Sequence, residues 1–301
     1  MEITLKALTP LWTGGVDRKS DQTHETGVIG SLRWWYEALV RGLDGSACDP
    51  AEKDERCTYR PDAKNQNKIC VACQLFGCTG WARKFRFEVR DEGGRVVRKP
   101  IQNGQVVFRF VPLKPLHPEE ITLLWRTIQL IASYGAIGGK TVLKPSEDAS
   151  KNTKWYHRDY GLIELVSSVP EELRNRQALE AYLMNDFREC SNQEWPNLRW
   201  FWFVQGKTLT RLQHNAIVKR DAKGRYKAEA SNLHKWLGGK QQVSKKIFAF
   251  HTSGAQRTWG YARSEEELDK VIRMVISKTG WAENDFKRGS EVLDELLGTS
   301  L

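Results

Sequence analysis

The sequence predicts an α+β protein built as two similar halves. Runs with the two-residue period of a half-buried strand alternate with runs at helical spacing along the chain. The alternation starts afresh near residue 151, after a long polar stretch. A chain of 301 residues also suffices for two domains of roughly 150. The expected division is therefore 1–150 and 151–301.

In the first half, Ile3, Leu5 and Ala7 alternate with Glu2, Thr4 and Lys6, which predicts a strand ending at Pro10. The glycine-rich stretch that follows reads as an exposed loop. A helix is expected from a cap at Ser31, with Leu32, Trp35, Tyr36, Leu39 and Val40 on one face and Gly42 as its stop. Polar residues with two prolines then mark an insertion near 44–80. "KFRFEVRDEGGRVVRK" predicts a hairpin that returns through Val96 and Val97. "QVVFRFVPL" predicts a further strand, and "HPEEITLLWRTIQLIASYGAI" a helix opened by Pro118 and closed at Gly135.

The second half repeats the theme. "WYHRDYGLIELVSS" is read as its opening strand, then a helix begun by Pro170, then the strand "NLRWFWFVQG". A short helix in "KAEASNLHKWLGG", two strands and a helix capped by Ser264 complete it. The order in the first half is that of a βαββαβ ferredoxin-like unit carrying an insertion. The second has a similar make-up, without a repeat visible residue by residue.

Charge narrows the partner. The chain carries 47 Lys and Arg against 37 Asp and Glu, a net charge of +10, which favours a polyanion such as nucleic acid. No apolar run approaches the ~18 residues of a membrane span. The opening "MEITLKALTP" lacks the basic and apolar regions of a signal peptide. A cytoplasmic protein with no membrane partner is the expectation. Six cysteines in such a setting do not read as a disulfide framework.

Of those cysteines, Cys48, Cys57, Cys70 and Cys73 form C-x8-C-x12-C-x2-C, with Cys78 nearby. Only Cys70 and Cys73 have the spacing at which two thiolates share a zinc ion. A structural zinc site and packed free thiols both fit, and no cofactor is required. In "SYGAIGGKTVLKP", Gly135, Gly138 and Gly139 precede Lys140. A helix precedes this loop and a proline closes it, the reverse of a phosphate-hydrolysing P-loop. Either a helix-ending turn or a loop against an RNA backbone accounts for it. The six histidines are scattered, and His24 with Lys140 is the pair that would suit metal-free RNA cleavage, though nothing in the sequence joins them. Four strings, "GSLRWWYE", "GWARKFRFEVR", "NLRWFWF" and "QRTWGYAR", interleave aromatic rings with cations. Rings that stack on bases beside cations that meet phosphates suit single-stranded nucleic acid. A core edged by arginine stems produces the same strings.

"LTPLWTGG", "ETGVIGSLRWWYEALVRGL", "CVACQLFGCTGWARKFRF", "GAIGGKT" and "KKIFAF…QRTWGYAR", in that order, resemble the first-numbered RAMP-superfamily subunits of type III-B CRISPR (Cmr) effector complexes. The likeness runs from Leu8 to about Arg263. It implies two fused ferredoxin-like domains and a non-catalytic RNA-binding subunit that caps the guide-RNA 3′ end and helps capture target RNA beside other Cmr subunits, in antiviral defence. The family's motifs fall on Trp12, Thr13, Gly14 and Gly15, on Gly30, Ser31, Arg33 and Trp34, on Gly138, Gly139 and Lys140, and on Arg257, Thr258, Trp259 and Gly260. Where such proteins often continue with glycines, this chain has Val142, Leu143, Lys144 and Pro145, which shifts expected phosphate binding toward Lys140 and Lys144.

The expected RNA groove therefore holds Arg33, Arg83, Lys84, Lys140, Lys144 and Arg257, with Gly138 and Gly139 in its loop. Trp12, Trp34 or Trp259 would stack on a base, while Trp35 belongs to the core. Two rivals remain: a metal-independent repeat-processing endoribonuclease on the same paired fold, with His24 or His251 as base, and a module whose basic face meets an acidic protein.

Overall fold

Ile3, Leu5 and Ala7 point inward from β1 (Glu2–Ala7), as their alternation requires. The structure is a computed structural model that describes residues 1–14, 20–61, 68–138, 159–190, 196–240 and 243–298. β1 is followed by α1 (Glu25–Gly42), α2 (Val71–Phe76), β2 (Phe85–Arg90), β3 (Gly104–Pro112), α3 (Pro118–Tyr134) and β4 (Ile163–Leu165). These four strands form one antiparallel sheet in the order β2-β3-β1-β4. After α4 (Arg176–Leu183) come β5 (Phe201–Gln205), α5 (Arg211–Ile217), α6 (Asn232–Gly238), β6 (Ile247–Phe250), β7 (Arg257–Tyr261), α7 (Glu265–Thr279), β8 (Phe286–Arg288) and α8 (Gly289–Leu297). Their sheet runs β6-β7-β5-β8, also antiparallel. With helices set aside, both sheets have the same order of strands within their own half, second-third-first-fourth, as in two tandem ferredoxin-like units.

Four expectations change. β4 pairs with β1, Ala7 opposite Ile163, so the strand expected to open the second half closes the first sheet. α1 begins at Glu25 rather than near Ser31, because Val28 and Ile29 are buried and extend the apolar face by a turn. Gly27 passes close to the preceding loop there, where a Cβ would lie 3.2 Å from the Thr13 Cα. The expected hairpin is cut short. The turn at Asp91–Gly94 closes and Val97 donates to the Val89 carbonyl at 2.8 Å, but β3 occupies the edge of β2, Phe87 opposite Phe110. The helix expected from Pro170 starts at Arg176, where the Asn175 side chain caps Ala178 N–H at 2.9 Å. Sequence reading passed over α5, β8 and α8, the last two lying after the final expected helix.

The two sheets share one core. Trp34 and Trp35 of α1 reach Phe201, Trp259 and Tyr261 of the second sheet, with ring centroids 4.9 to 6.2 Å apart. The end of α3 is held from the same side. Arg257 donates to the carbonyls of Ala132 and Gly135 at 2.9 and 3.2 Å, and Gln205 donates to that of Ser133 at 2.7 Å. A cation at a helix C-terminus is favourably placed against the helix dipole. Among the described residues, no helix is long and apolar enough to cross a membrane.

Candidate functional site

The structure takes part of the expected RNA groove inside. Lys84 is 4 % exposed and donates to both carboxylate oxygens of Glu120 at 2.8 and 3.0 Å, a buried ion pair. Arg257 spends its guanidinium on the end of α3, and burial pulls its pKa down to about 10. Trp259 is 2 % exposed and stacks on Phe248 at 3.8 Å. Trp34 is half-buried against the aromatic cluster, T-shaped to Trp35 at 5.1 Å. Lys84 lies just before β2, Arg257 and Trp259 on the wholly buried β7 and Trp34 on α1, and all four are turned toward the interior. Of the remainder, Trp12 is half-buried edge-on to Tyr160 at 5.4 Å. Arg83 is half-buried in the turn before β2. Gly138 has φ +109°, and a Cβ there would meet the Trp12 carbonyl at 2.7 Å, so glycine is required. Gly139, Lys140 and Lys144 lie outside the described residues, as does Gly15. The histidines form no catalytic arrangement among the described residues. His24 precedes α1 near Asp21, and a ring nitrogen of His251 meets the Leu209 carbonyl at 3.2 Å.

What the fold gathers instead is sulfur. Cys48 and Cys57 lie in the insertion, Cys70 sits at the N-cap of α2 and Cys73 in its first turn. All four are buried and their Sγ atoms lie within 4.8 Å of one another. Cys48 and Cys73 are 3.5 Å apart, and none of the four is in a disulfide. Backbone amides address the sulfurs: Cys48 N–H donates to Cys70 Sγ and Cys70 N–H to Cys57 Sγ, each at 3.3 Å. The thiols pull apart in ionisation. Hydrogen bonds from Cys190 and then Cys48 lower Cys57, while bonding to Cys48 first raises Cys73.

Arg33, expected on phosphate, belongs to this cluster. Its guanidinium donates to Glu37 Oε1 at 2.7 Å, to the Gly77 carbonyl at 2.8 Å and to Cys73 Sγ at 3.1 Å, and lies 3.8 Å from Cys48 Sγ. Burial pulls its pKa down, but the charges of Glu37 and Cys73 outweigh that and hold it above its ordinary value. Two turns on, Arg41 donates to the carbonyls of Ala47, Cys48 and Pro196. Spacing alone made Cys70 and Cys73 a pair. The approach of Cys48 and Cys57 depends on α2 folding back onto α1, which sequence spacing does not encode.

Outside the cluster the insertion presents cations. A cavity of about 410 Å³ is lined by Lys53, Asp54, Arg56, Thr58, Arg60, Lys68 and Arg188. Arg188 reaches in from the segment after α4, donating to the carbonyls of Glu55 and Arg56 at 3.1 and 3.0 Å. Thr58 bridges Thr79, and Tyr59 packs on Trp81 at 5.0 Å. Lys114 lies 3.7 Å over that Trp81 ring. The run of lysines and arginines from Lys53 to Lys68 is visible in the sequence, but the polar composition there reads only as an insertion.

Residues 4–143 match the family model for the RAMP superfamily, the stretch that carries β1, α1, the insertion, β2, β3 and α3. The chain has a second likeness. Over 71 residues the chain is 28 % identical to a protein of Pyrococcus furiosus described as CRISPR system Cmr subunit Cmr1-2. The matched stretch is 24 % of this chain and spans 37 % of that relative's length. Among solved structures, the apo crystal structure of Cmr1 from Pyrococcus furiosus aligns with TM-score 0.45 and 11 % identity, covering 96 % of this chain and 98 % of that one. A chain in a cryo-EM structure of the type III-B Cmr-beta bound to cognate target RNA and AMPPnP aligns with TM-score 0.45 and 10 % identity, covering 92 % of this chain and 98 % of that one. Residues 4–143 of the chain thus carry a RAMP-superfamily likeness, and a shorter stretch resembles a Cmr subunit.

Proposed function

We propose that this protein is a non-catalytic RNA-binding subunit of a type III-B CRISPR effector ribonucleoprotein, which caps the 3′ end of the guide RNA and helps capture target RNA. The observation that carries the reading is the basic cavity on the insertion of the RAMP half, where Lys53, Arg56, Arg60 and Lys68 are all exposed beside one aspartate. Clustered cations at the surface neutralise phosphates, and the net charge of +10 points the same way. The name of the curated relative, a Cmr subunit, agrees with it. Trp12 and Arg83, with Gly139, Lys140 and Lys144, remain proposed RNA contacts in addition to the cations of the cavity. We also place the division between the two units after β4 rather than at residue 150, since β4 belongs to the first sheet.

The test is a retardation assay of the full chain with labelled single-stranded guide-repeat RNA, magnesium omitted, at two salt concentrations. RNA that is retarded but intact, with affinity falling steeply as salt rises, is the expected result. Arg56→Ala with Arg60→Ala should lower the salt slope by about one for each phosphate no longer neutralised. Specific cleavage that disappears in His24→Ala would overturn the non-catalytic reading. Absence of any shift at low salt would overturn RNA binding itself.

A further inference from the structure

We infer that Cys48, Cys57, Cys70 and Cys73 hold one structural zinc ion as a tetrathiolate, with Arg33 as a positioning residue that donates to two of the sulfurs. The inference stands apart from the RNA reading and rests on the geometry of the RAMP insertion.

Distance is the first argument. Zinc–thiolate bonds of about 2.3 Å in a tetrahedron set neighbouring sulfurs roughly 3.8 Å apart. The four Sγ atoms fall within 4.8 Å of one another, the Cys48–Cys73 pair at 3.5 Å, so the ligands are already gathered at about the span a zinc ion needs. A disulfide would require about 2.05 Å.

Hydrogen bonding is the second. Neutral thiols are weak acceptors, yet these sulfurs draw backbone N–H groups at two positions and a guanidinium at two more. Such donors suit thiolates, and metal-bound thiolates are ordinarily supported by outer hydrogen bonds of this kind. The Arg33 guanidinium already has a carboxylate partner in Glu37 at 2.7 Å, and its further approach to Cys73 Sγ at 3.1 Å is a strong hydrogen bond only if that sulfur is ionised.

The third argument is what the ion would fasten. The insertion is poor in regular structure: α2 has six residues, and a loop with few apolar side chains cannot hold four sulfurs together by burial alone. The cluster joins Cys48 and Cys57 of that loop to α2 and to α1 through Arg33 and Arg41, and the loop is tied to the segment after α4 by Arg188 on the carbonyls of Glu55 and Arg56 and by Cys190 N–H on Ser46. An all-sulfur tetrahedral set selects zinc or iron. Four protein sulfurs complete a tetrahedron and leave no position for water or substrate, which makes the site structural rather than catalytic.

The experiment uses the full chain purified in reducing buffer and measured by elemental analysis, before and after loading with zinc and removal of excess. About one zinc per chain is expected, and cobalt in its place should give the intense visible bands of a tetrahedral thiolate site. Cys70→Ser with Cys73→Ser should lose the metal, whereas Cys78→Ser and Cys190→Ser should keep it. Because the double variant can fail to fold, Arg33→Met supplies a second arm. It retains all four ligands, and its zinc affinity in a chelator competition should fall about 10- to 100-fold. A folded wild-type chain that takes up no stoichiometric zinc overturns the site. Stoichiometric iron overturns the choice of metal, and metal loss in Cys190→Ser as complete as in Cys73→Ser overturns the ligand set. Unchanged zinc affinity in Arg33→Met refutes the role given to Arg33.

Discussion

Removing Lys84 tests whether this conspicuous cation, next to Arg83 and expected on phosphate, is a structural group. Its side chain is 5 % exposed and that of Glu120 fully buried. Glu120 accepts from Lys84 through both oxygens and from the His117 backbone N–H at 2.9 Å. Lys84→Ala leaves that carboxylate with a single described donor in the interior. Breaking a buried pair from one side costs about 3–5 kcal/mol, mostly for the charge left behind. At a urea m-value of about 3 kcal/mol/M, the midpoint should fall by about 1 M or more. The paired change Lys84→Met with Glu120→Leu removes both charges and should recover most of the loss. Urea unfolding followed by tryptophan fluorescence reads the midpoint, and RNA retardation in native buffer reads affinity. If Lys84→Ala weakens RNA binding while the midpoint stays put, the buried-pair reasoning fails and Lys84 returns to the groove.

Two further perturbations address the core and the pH response. Trp259→Ala empties a site lined by Phe248, Phe201, Trp34 and Trp35; a loss of about 3–5 kcal/mol is expected, read as a lowered melting temperature in calorimetry. An unchanged melting temperature with lost RNA binding would restore Trp259 as a stacking residue. Lys245 is pushed down from 10.5 to about 8, by burial first and then by Arg220 and Arg211. Between about pH 8 and 10.5 the unfolded chain holds the proton the folded chain has released, so stability attributable to this group rises with pH. Lys245→Met should stabilise the chain at about pH 7 and narrow its advantage by about pH 10 in parallel denaturation curves; an advantage that grows with pH contradicts the assigned direction.

The fold was largely legible because periodicity is a local property. Alternation gave β1 and β3, and the proline, acids and glycine around α3 gave its limits, which the structure keeps at Pro118–Tyr134. What failed depended on partners distant in sequence. β4 has three residues, and nothing within them says that they pair with β1 rather than with a strand of the second half. β8 is equally short. The candidate site was legible as residue types and hardly at all as placement. CxxC signalled Cys70 and Cys73 as a pair, but the convergence of Cys48 and Cys57 needed the insertion to fold back on α1.

The misassigned cations share one physical cause. A cation beside an aromatic ring in sequence has two stable destinations, a phosphate in solvent or a buried acceptor at the edge of a core. Sequence adjacency cannot choose between them, because the choice depends on which acceptors the tertiary fold brings near. Here the fold supplies the carboxylate of Glu120 to Lys84, the end of α3 to Arg257 and sulfur to Arg33. Each of these acceptors lies far away in the chain. Among the cations that stay exposed are Lys53, Arg56, Arg60 and Lys68 of the insertion. If the tetrathiolate assignment holds, the ion that gathers Cys48, Cys57, Cys70 and Cys73 also fixes the backbone on which Arg56, Arg60 and Lys68 stand. Metal and RNA affinity would then be linked through the insertion alone.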